Sequence, residues 1–185
     1  MKALLTTVLC FAIGLSATAA IAGKTPQEKR TATDQMAGTT LVRLFKERPE
    51  AKALQRKSYG YAVFDQAETA IMISGGGGSG VAVETTSGKR IYMKTASAGI
   101  GLGLGFHLIY TVFLFETKEA FEKFIDNGMG ADTSASAAAG KSGKNAESSF
   151  RNGIAVFQLT DKGLIAQASV KGTKYWQDKK LNGKE

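Results

Sequence analysis

The chain has 185 residues, a formal net charge of +8, 22 glycines, one cysteine and one histidine. A single cysteine excludes an internal disulfide, and with one histidine no His/Cys set remains for a structural zinc. The excess of base points to an anionic partner such as a phospholipid surface, an envelope polyanion or nucleic acid; lysines that only maintain solubility are the plain alternative.

The chain opens with Lys2, an apolar run from Leu4 to Leu15, and the small-residue pattern Ala20-Ile21-Ala22 before Gly23. That order predicts a signal peptide over residues 1–22, cleaved on export. An uncleaved anchor is the alternative, but the apolar run is shorter than the ~20 residues of a span. Cys10 lies inside this segment and follows Leu9, which does not fit a lipoprotein signal. The exported product is then thiol-free, periplasmic or secreted, and nucleic acid drops out as a partner.

Residues 23–57 predict a helical region. Thr25-Pro26 reads as an N-cap followed by proline at the first helical position. A thin apolar stripe follows at Met36, Leu41, Leu44 and Phe45. Pro49 starts a second short helix to about Lys57, with Ala53 and Leu54 as its apolar contacts. Residues 58–178 read as the main domain and 179–185 as a basic tail. Within the domain, "YGYAVF" (Tyr59–Phe64), "TAIMIS" (Thr69–Ser74), "GVAVET" (Gly80–Thr85) and "RIYMKT" (Arg90–Thr95) predict short strands. They are separated by turn chemistry at Asp65-Gln66, Gly75–Gly78 and Ser87-Gly88.

"GIGLGLGFHLIYTVFLF" (Gly99–Phe115) alternates glycine with bulky residues before turning almost wholly apolar. As a helical membrane span it is marginal in length, although Gly99/Gly103 and Gly101/Gly105 match small-xxx-small spacing. As a dinucleotide loop it lacks the strand-then-helix setting. The period of two fits best: Ile100, Leu102, Leu104, Phe106 and Leu108 on one face, and Gly99, Gly101, Gly103 and Gly105 on the other. Glycines in register leave a bare face, for close packing in the core or for a ligand groove.

Thr117 to Asp126 predicts an inserted helix capped by Thr117, burying Ala120, Phe121, Phe124 and Ile125, with Gly128 just past its end. Gly130–Ser149 reads as a flat strand followed by a loop. Gly153–Leu159 and Gly163–Val170 form a hairpin around Thr160-Asp161-Lys162. The fold class is α+β: N-terminal helices, then an antiparallel sheet or partly closed barrel with one inserted helix.

No catalytic constellation is visible. His107 stands alone in an apolar run, where a hydrogen-bonded core group is the simpler reading. "AGKS" (Ala139–Ser142) resembles the end of a phosphate loop, but Ala135 occupies the position of its first glycine. Asp65, Glu68 and Asp132 pair only if folding gathers them. Neither an enzyme, a cofactor nor a metal is expected.

The segments "YGYAVF", "MISGGGGSGVAV", "TASAGIGLGLGFHLIYTVFLFETKEAFEKF", "GADTSASAAAGKSG" and "DKGLIAQASVKGTKYW" occur in this order from about Lys57 to Trp176. Together they resemble the SYLF-domain family, a lipid-binding module also described as a yeast-type actin-bundling domain. Asp65 and Lys141 stand where the family often has proline, so those turns are expected to differ. The resemblance implies binding of phosphoinositides or other anionic lipids and, in some eukaryotic members, actin. For an exported chain the part carried over is anionic phospholipid.

The residues supply a physical basis of their own. Lys89, Arg90 and Lys94 surround the predicted hairpin, and Lys171, Lys174, Lys179 and Lys180 bracket Tyr175 and Trp176. Cations beside an amphipathic aromatic pair suit a headgroup interface. A strand end whose Trp176 closes the core, fringed by solvated lysines, is the competing reading. Beyond lipid docking, the sequence leaves open an envelope protein that self-associates through its flat glycine face, and a glycine-zipper membrane protein.

Overall fold

The computed structural model describes residues 24–128, 150–160, 163–164 and 172–183, with the backbone alone for 69–74, 99–107 and 163–164. The expected signal peptide, the segment Gly130–Ser149 with Asp132 and "AGKS", the turn residues Asp161 and Lys162, most of Gly163–Val170, and Lys171 lie outside the described residues.

Helix α1 (Pro26–Glu47) begins where its local chemistry dictates. Thr25 Oγ1 accepts the Glu28 amide at 3.2 Å, and Glu28 Oε2 accepts the Thr25 amide at 2.7 Å. This reciprocal pair satisfies two of the helix's orphan donors, and Pro26 needs no partner at the first position. Pro49 ends α1, because the residue before a proline is pushed out of helical backbone, and starts α2 (Pro49–Lys57). Along α1 the buried line is Thr33, Ala37, Thr40 and Leu44; the expected Met36, Leu41 and Phe45 flank it, half-buried. In α2 the buried contact is Ala51, with Leu54 half-buried; Ala53, expected to pack, is exposed.

The strands are far longer than the sequence suggests. β1 runs unbroken from Gly60 to Glu84 and β2 from Arg90 to Phe115. They pair antiparallel from Gly60↔Phe115 to Val83↔Arg90, with one register shift between Ile71 and Ile73. Of the three predicted turns, only the one at Ser87-Gly88 is a turn; Gly88 sits at φ +68° and its amide bonds the Glu84 carbonyl at 2.9 Å. Asp65-Gln66 and Gly75–Gly78 lie inside β1. Gly99–Phe115 is likewise extended and paired, with Gly105 opposite Ala70 and Gly99 opposite Ser74. The glycine-zipper helix therefore does not hold, and no helix among the described residues is long and apolar enough to cross a membrane.

A straight strand of 25 residues would extend about 80 Å at the usual rise, several times the radius of a domain this size. β1 therefore doubles back. A Cβ placed on Gly76, Gly78 or Gly80 would collide with the carbonyl oxygens of Ala67, Asp65 and Val63 respectively. The second half of β1 thus passes over the first in the reverse direction, backbone against backbone. Only glycine permits this approach. Asp65 stays extended because its Oδ1 accepts both the Ser79 amide at 3.0 Å and the Ser79 hydroxyl at 2.9 Å.

β3 (Ile154–Thr160) pairs with the far end of β2 at Ile109–Phe115, β4 (Gly163–Leu164) pairs with β3, and β5 (Thr173–Gln177) pairs with β2 at Met93–Ser97. All pairs are antiparallel. The order β1-β2-β3-β4 with β5 also on β2 does not return to its start, so the described sheet is not closed. Helix α3 (Lys118–Asn127) interrupts the strands, with Thr117 Oγ1 accepting the Ala120 amide at 3.2 Å and Gly128 at φ +67° beyond its end. The protein is α+β, as the sequence implies.

Alternation along the strands creates two apolar layers. Ala62, Phe64, Ala82, Met93, Phe113 and Phe115 face inward against Phe121 and Phe124 of α3. Val63, Val81, Val83, Val112 and Leu114 face outward beneath α1 and α2. The inner layer is dominated by edge-on aromatic pairs, such as Phe64 with Phe113 at 6.0 Å and Phe115 with Phe121 at 5.5 Å.

Candidate functional site

Strand β5 decides the fate of the expected aromatic pair. Its residues alternate, so Thr173 and Tyr175 point inward while Lys174 and Trp176 point outward. Tyr175 is only 1% exposed. Its ring lies 4.7 Å from Phe64, 5.2 Å from Phe113 and 5.8 Å from Phe124. Burial pushes its phenol well above the usual range, partly offset by hydrogen bonds with Thr95, Thr111 and Thr173. Tyr175 is a core residue and leaves the surface set. Trp176, by contrast, is 38% exposed and sits across the ladder from Lys94.

The outward residues border an open groove of about 560 Å³ between β5 and the end of α3. Lys174, Trp176 and Lys179 line one wall, and Ile125, Asp126 and Gly128 the other. Gln177 Nε2 ties the two walls together by donating to the Ile125 carbonyl at 3.3 Å. Among the described residues, neither Lys174 nor Lys179 has an ion-pair partner. Lys89 and Arg90 line an adjoining recess with Glu84, Glu122 and Asp126; it shares Ile125, Asp126 and Gln177 with the groove. Arg90 Nε lies 3.4 Å from Asp34 Oδ1, which links the hairpin to α1.

Lys94 and Lys180 belong to a third concavity, of about 410 Å³, between the start of α1 and the turn after β5. Lys24 and Lys29 join them there, with Asp65 and Asp178 as counter-charges. Lys94 Nζ lies 3.2 Å from Asp178 Oδ2. The turn itself, residues 179–183, is held from several sides. Asp178 Oδ1 accepts the Leu181 amide at 3.2 Å, and Arg30 Nε donates to the Leu181 carbonyl at 2.9 Å. Asn182 works as a substitute strand: its Oδ1 accepts the Tyr92 amide at 2.9 Å and its Nδ2 donates to the Tyr92 carbonyl at 2.8 Å.

Folding thus splits the expected set. Lys174, Trp176 and Lys179 share one groove, Lys89 and Arg90 adjoin it, Lys94 and Lys180 share the cleft by α1, and Lys171 lies outside the described residues. Gly99, Gly101, Gly103 and Gly105 lie on β2 beyond its pairing with β5. Sequence reasoning missed Lys24, Lys29 and Asp178. Lys24 and Lys29 flank the α1 cap, and Asp178 stands two residues beyond the tryptophan, but none carries a motif of its own. No group of metal-ligating side chains occurs among the described residues.

A small open sheet with a grooved, basic surface and one outward indole belongs to the class of binding domains. Comparison with known proteins agrees: residues 96–184 match the Ysc84 family, described as "Las17-binding protein actin regulator". The chain is 42% identical over 158 residues to Beta cell expansion factor A of Aeromonas veronii, covering 85% of this chain and 60% of that protein. It is 31% identical over 139 residues to LAS seventeen-binding protein 3 of Saccharomyces cerevisiae, covering 70% of this chain and 30% of that protein. Residues 96–184 thus carry the Ysc84/SYLF match, and the chain spans less than two thirds of the length of these relatives. The family match begins near the start of β2, at Ala96, and takes in α3, β3, β4, β5 and the pinned turn.

Proposed function

We propose that this is an exported, non-enzymatic protein that docks on anionic phospholipid through the outward face of β5. The observation that carries this reading is the placement of Trp176, 38% exposed, beside Lys174 on the same face and opposite Lys94. An indole with an apolar body and one polar N–H suits the headgroup layer. Each cation held near an anionic surface contributes about 1 kcal/mol. Lys174 and Lys179 supply that attraction at the groove.

Co-sedimentation with phosphatidylglycerol/phosphatidylcholine vesicles, against phosphatidylcholine alone, tests the proposal. The wild-type protein is expected to pellet with the anionic vesicles only, and less as salt rises. A Lys174→Glu/Lys179→Glu variant should lose on the order of tenfold or more in partitioning. Equal pelleting of the two proteins, with equal circular dichroism, would remove the site.

Self-association through a flat glycine face is the second reading. The exposed Gly75 and Gly77 favour it, because a Cβ on either would meet nothing closer than 3.6 Å. It requires a particle size that grows with protein concentration in the absence of lipid.

A further inference from the structure

Resting on the anionic-docking reading, we infer that Asp178 is a positioning residue that sets the strength of this surface. It withholds Lys94 from an anionic phospholipid while fixing the turn that carries Lys179 and Lys180. Both tasks fall to one carboxylate. Oδ2 faces Lys94 Nζ at 3.2 Å, and Oδ1 accepts the Leu181 amide at 3.2 Å.

The two partners are unequal. The Asp178 side chain is 9% exposed and the Lys94 side chain 46%. Asp178 is held in place by its own backbone, whose amide bonds the Tyr92 carbonyl at 2.9 Å, and by the Leu181 amide. The lysine, on its flexible stem, is the member free to leave. Leaving would strand a nearly buried carboxylate with one hydrogen bond fewer, which opposes the exchange.

With Lys94 half-exposed, the pair also acts on the charge presented outward. Lys94 is the direct cross-strand neighbour of Trp176. The indole that would enter the headgroup layer is thus accompanied by a cation already neutralised from within. Asp178 also directly precedes Lys179, well inside the screening length of about 8 Å at physiological salt, and weakens the field there too.

The test is Asp178→Asn in the purified protein, with phosphatidylglycerol/phosphatidylcholine and pure phosphatidylcholine vesicles. Asparagine keeps an oxygen for the Leu181 amide but no charge for Lys94. Partitioning onto anionic vesicles should rise about fivefold, the effect of one released cation, with a steeper loss as salt increases. Pure phosphatidylcholine should show no gain. Adding Lys94→Gln to Asp178→Asn should return partitioning to the wild-type level, which a purely structural role for Asp178 would not produce. Should Asp178→Asn unfold, Asp178→Ser carries the same test, since a hydroxyl can also accept the Leu181 amide.

Wild-type binding with no gain in a folded Asp178 variant overturns this inference alone. No binding by either protein overturns it together with the docking reading. Binding by the variant but not the wild type would support the inference strongly.

Discussion

The two faces of the doubled strand β1 use glycine for opposite reasons. Gly76, Gly78 and Gly80 point inward, where a methyl group would strike the carbonyls of Ala67, Asp65 and Val63. Gly75 and Gly77 point outward, where a Cβ would sit 4.0 Å from the Ser97 carbonyl and 3.6 Å from that of Thr95. β5 repeats the contrast with aromatics: Tyr175 is sealed among phenylalanines and Trp176 faces solvent. In both places, neighbours of the same residue class are separated by strand parity alone. The inner member holds the fold together, and the outer member faces away from the core.

Substitution of the aromatic pair should separate the two roles most sharply. Tyr175→Ala should cost about 3–5 kcal/mol of stability by emptying the middle of the aromatic layer. Trp176→Ala should cost about 1 kcal/mol or less while weakening adsorption to anionic vesicles. Denaturant titration and co-sedimentation read these effects side by side. A Trp176 variant that unfolds as readily as the Tyr175 variant would break the comparison.

The glycine run should give the next largest difference. Gly78→Ala forces backbone apart and should destabilise by about 1–3 kcal/mol or more. Gly77→Ala should change stability by less than about 1 kcal/mol, because its Cβ finds ordinary contact distances. Equal losses at the two positions would mean that the doubled strand does not depend on close approach.

Alkaline titration gives the smallest and most specific signal. Hydrogen bonding to Glu84 and desolvation raise Tyr59 to about 12, and burial raises Tyr175 further. In both cases the folded state holds its proton to higher pH than the unfolded chain, whose tyrosines titrate near pH 10. Above about pH 10 the unfolded state binds fewer protons, so stability falls as pH rises. That loss is complete for Tyr59 near pH 12 and continues beyond for Tyr175. Tyr59→Phe should remove the Tyr59 share of the loss between pH 10 and 12 and leave that of the buried Tyr175, read by chemical denaturation at each pH.

The helices were legible in the sequence because their signals are local. Thr25-Pro26, Pro49 and the Thr117…Gly128 frame each specify an end through side chains within a few residues. The strands were legible in composition but not in length. Four consecutive glycines offer the same local freedom to a turn and to a closely packed strand, and only the distant carbonyls of residues 63–67 decide between them. Asp65 illustrates the same point, since the Ser79 amide that keeps it extended is remote along the chain.

The basic surface was legible as a list of cations. Their partners were not, because Asp34 reaches Arg90 and Asp178 reaches Lys94 only after the sheet has formed. The pairing Tyr175-Trp176 hid a second ambiguity. Either ring could have faced inward, and a one-residue slip of β5 would have exchanged them.

The amide of Asn182 occupies the hydrogen-bonding positions on Tyr92 that a longer β5 would otherwise fill. A chain cut just after Gln177 would bare that stretch of β2 and offer its unsatisfied N–H and C=O to any extended polypeptide nearby, a second copy included. Residues 178–183 thus act as a guard on the sheet's margin, and proteolytic trimming there would expose an edge prone to zipper with its neighbours.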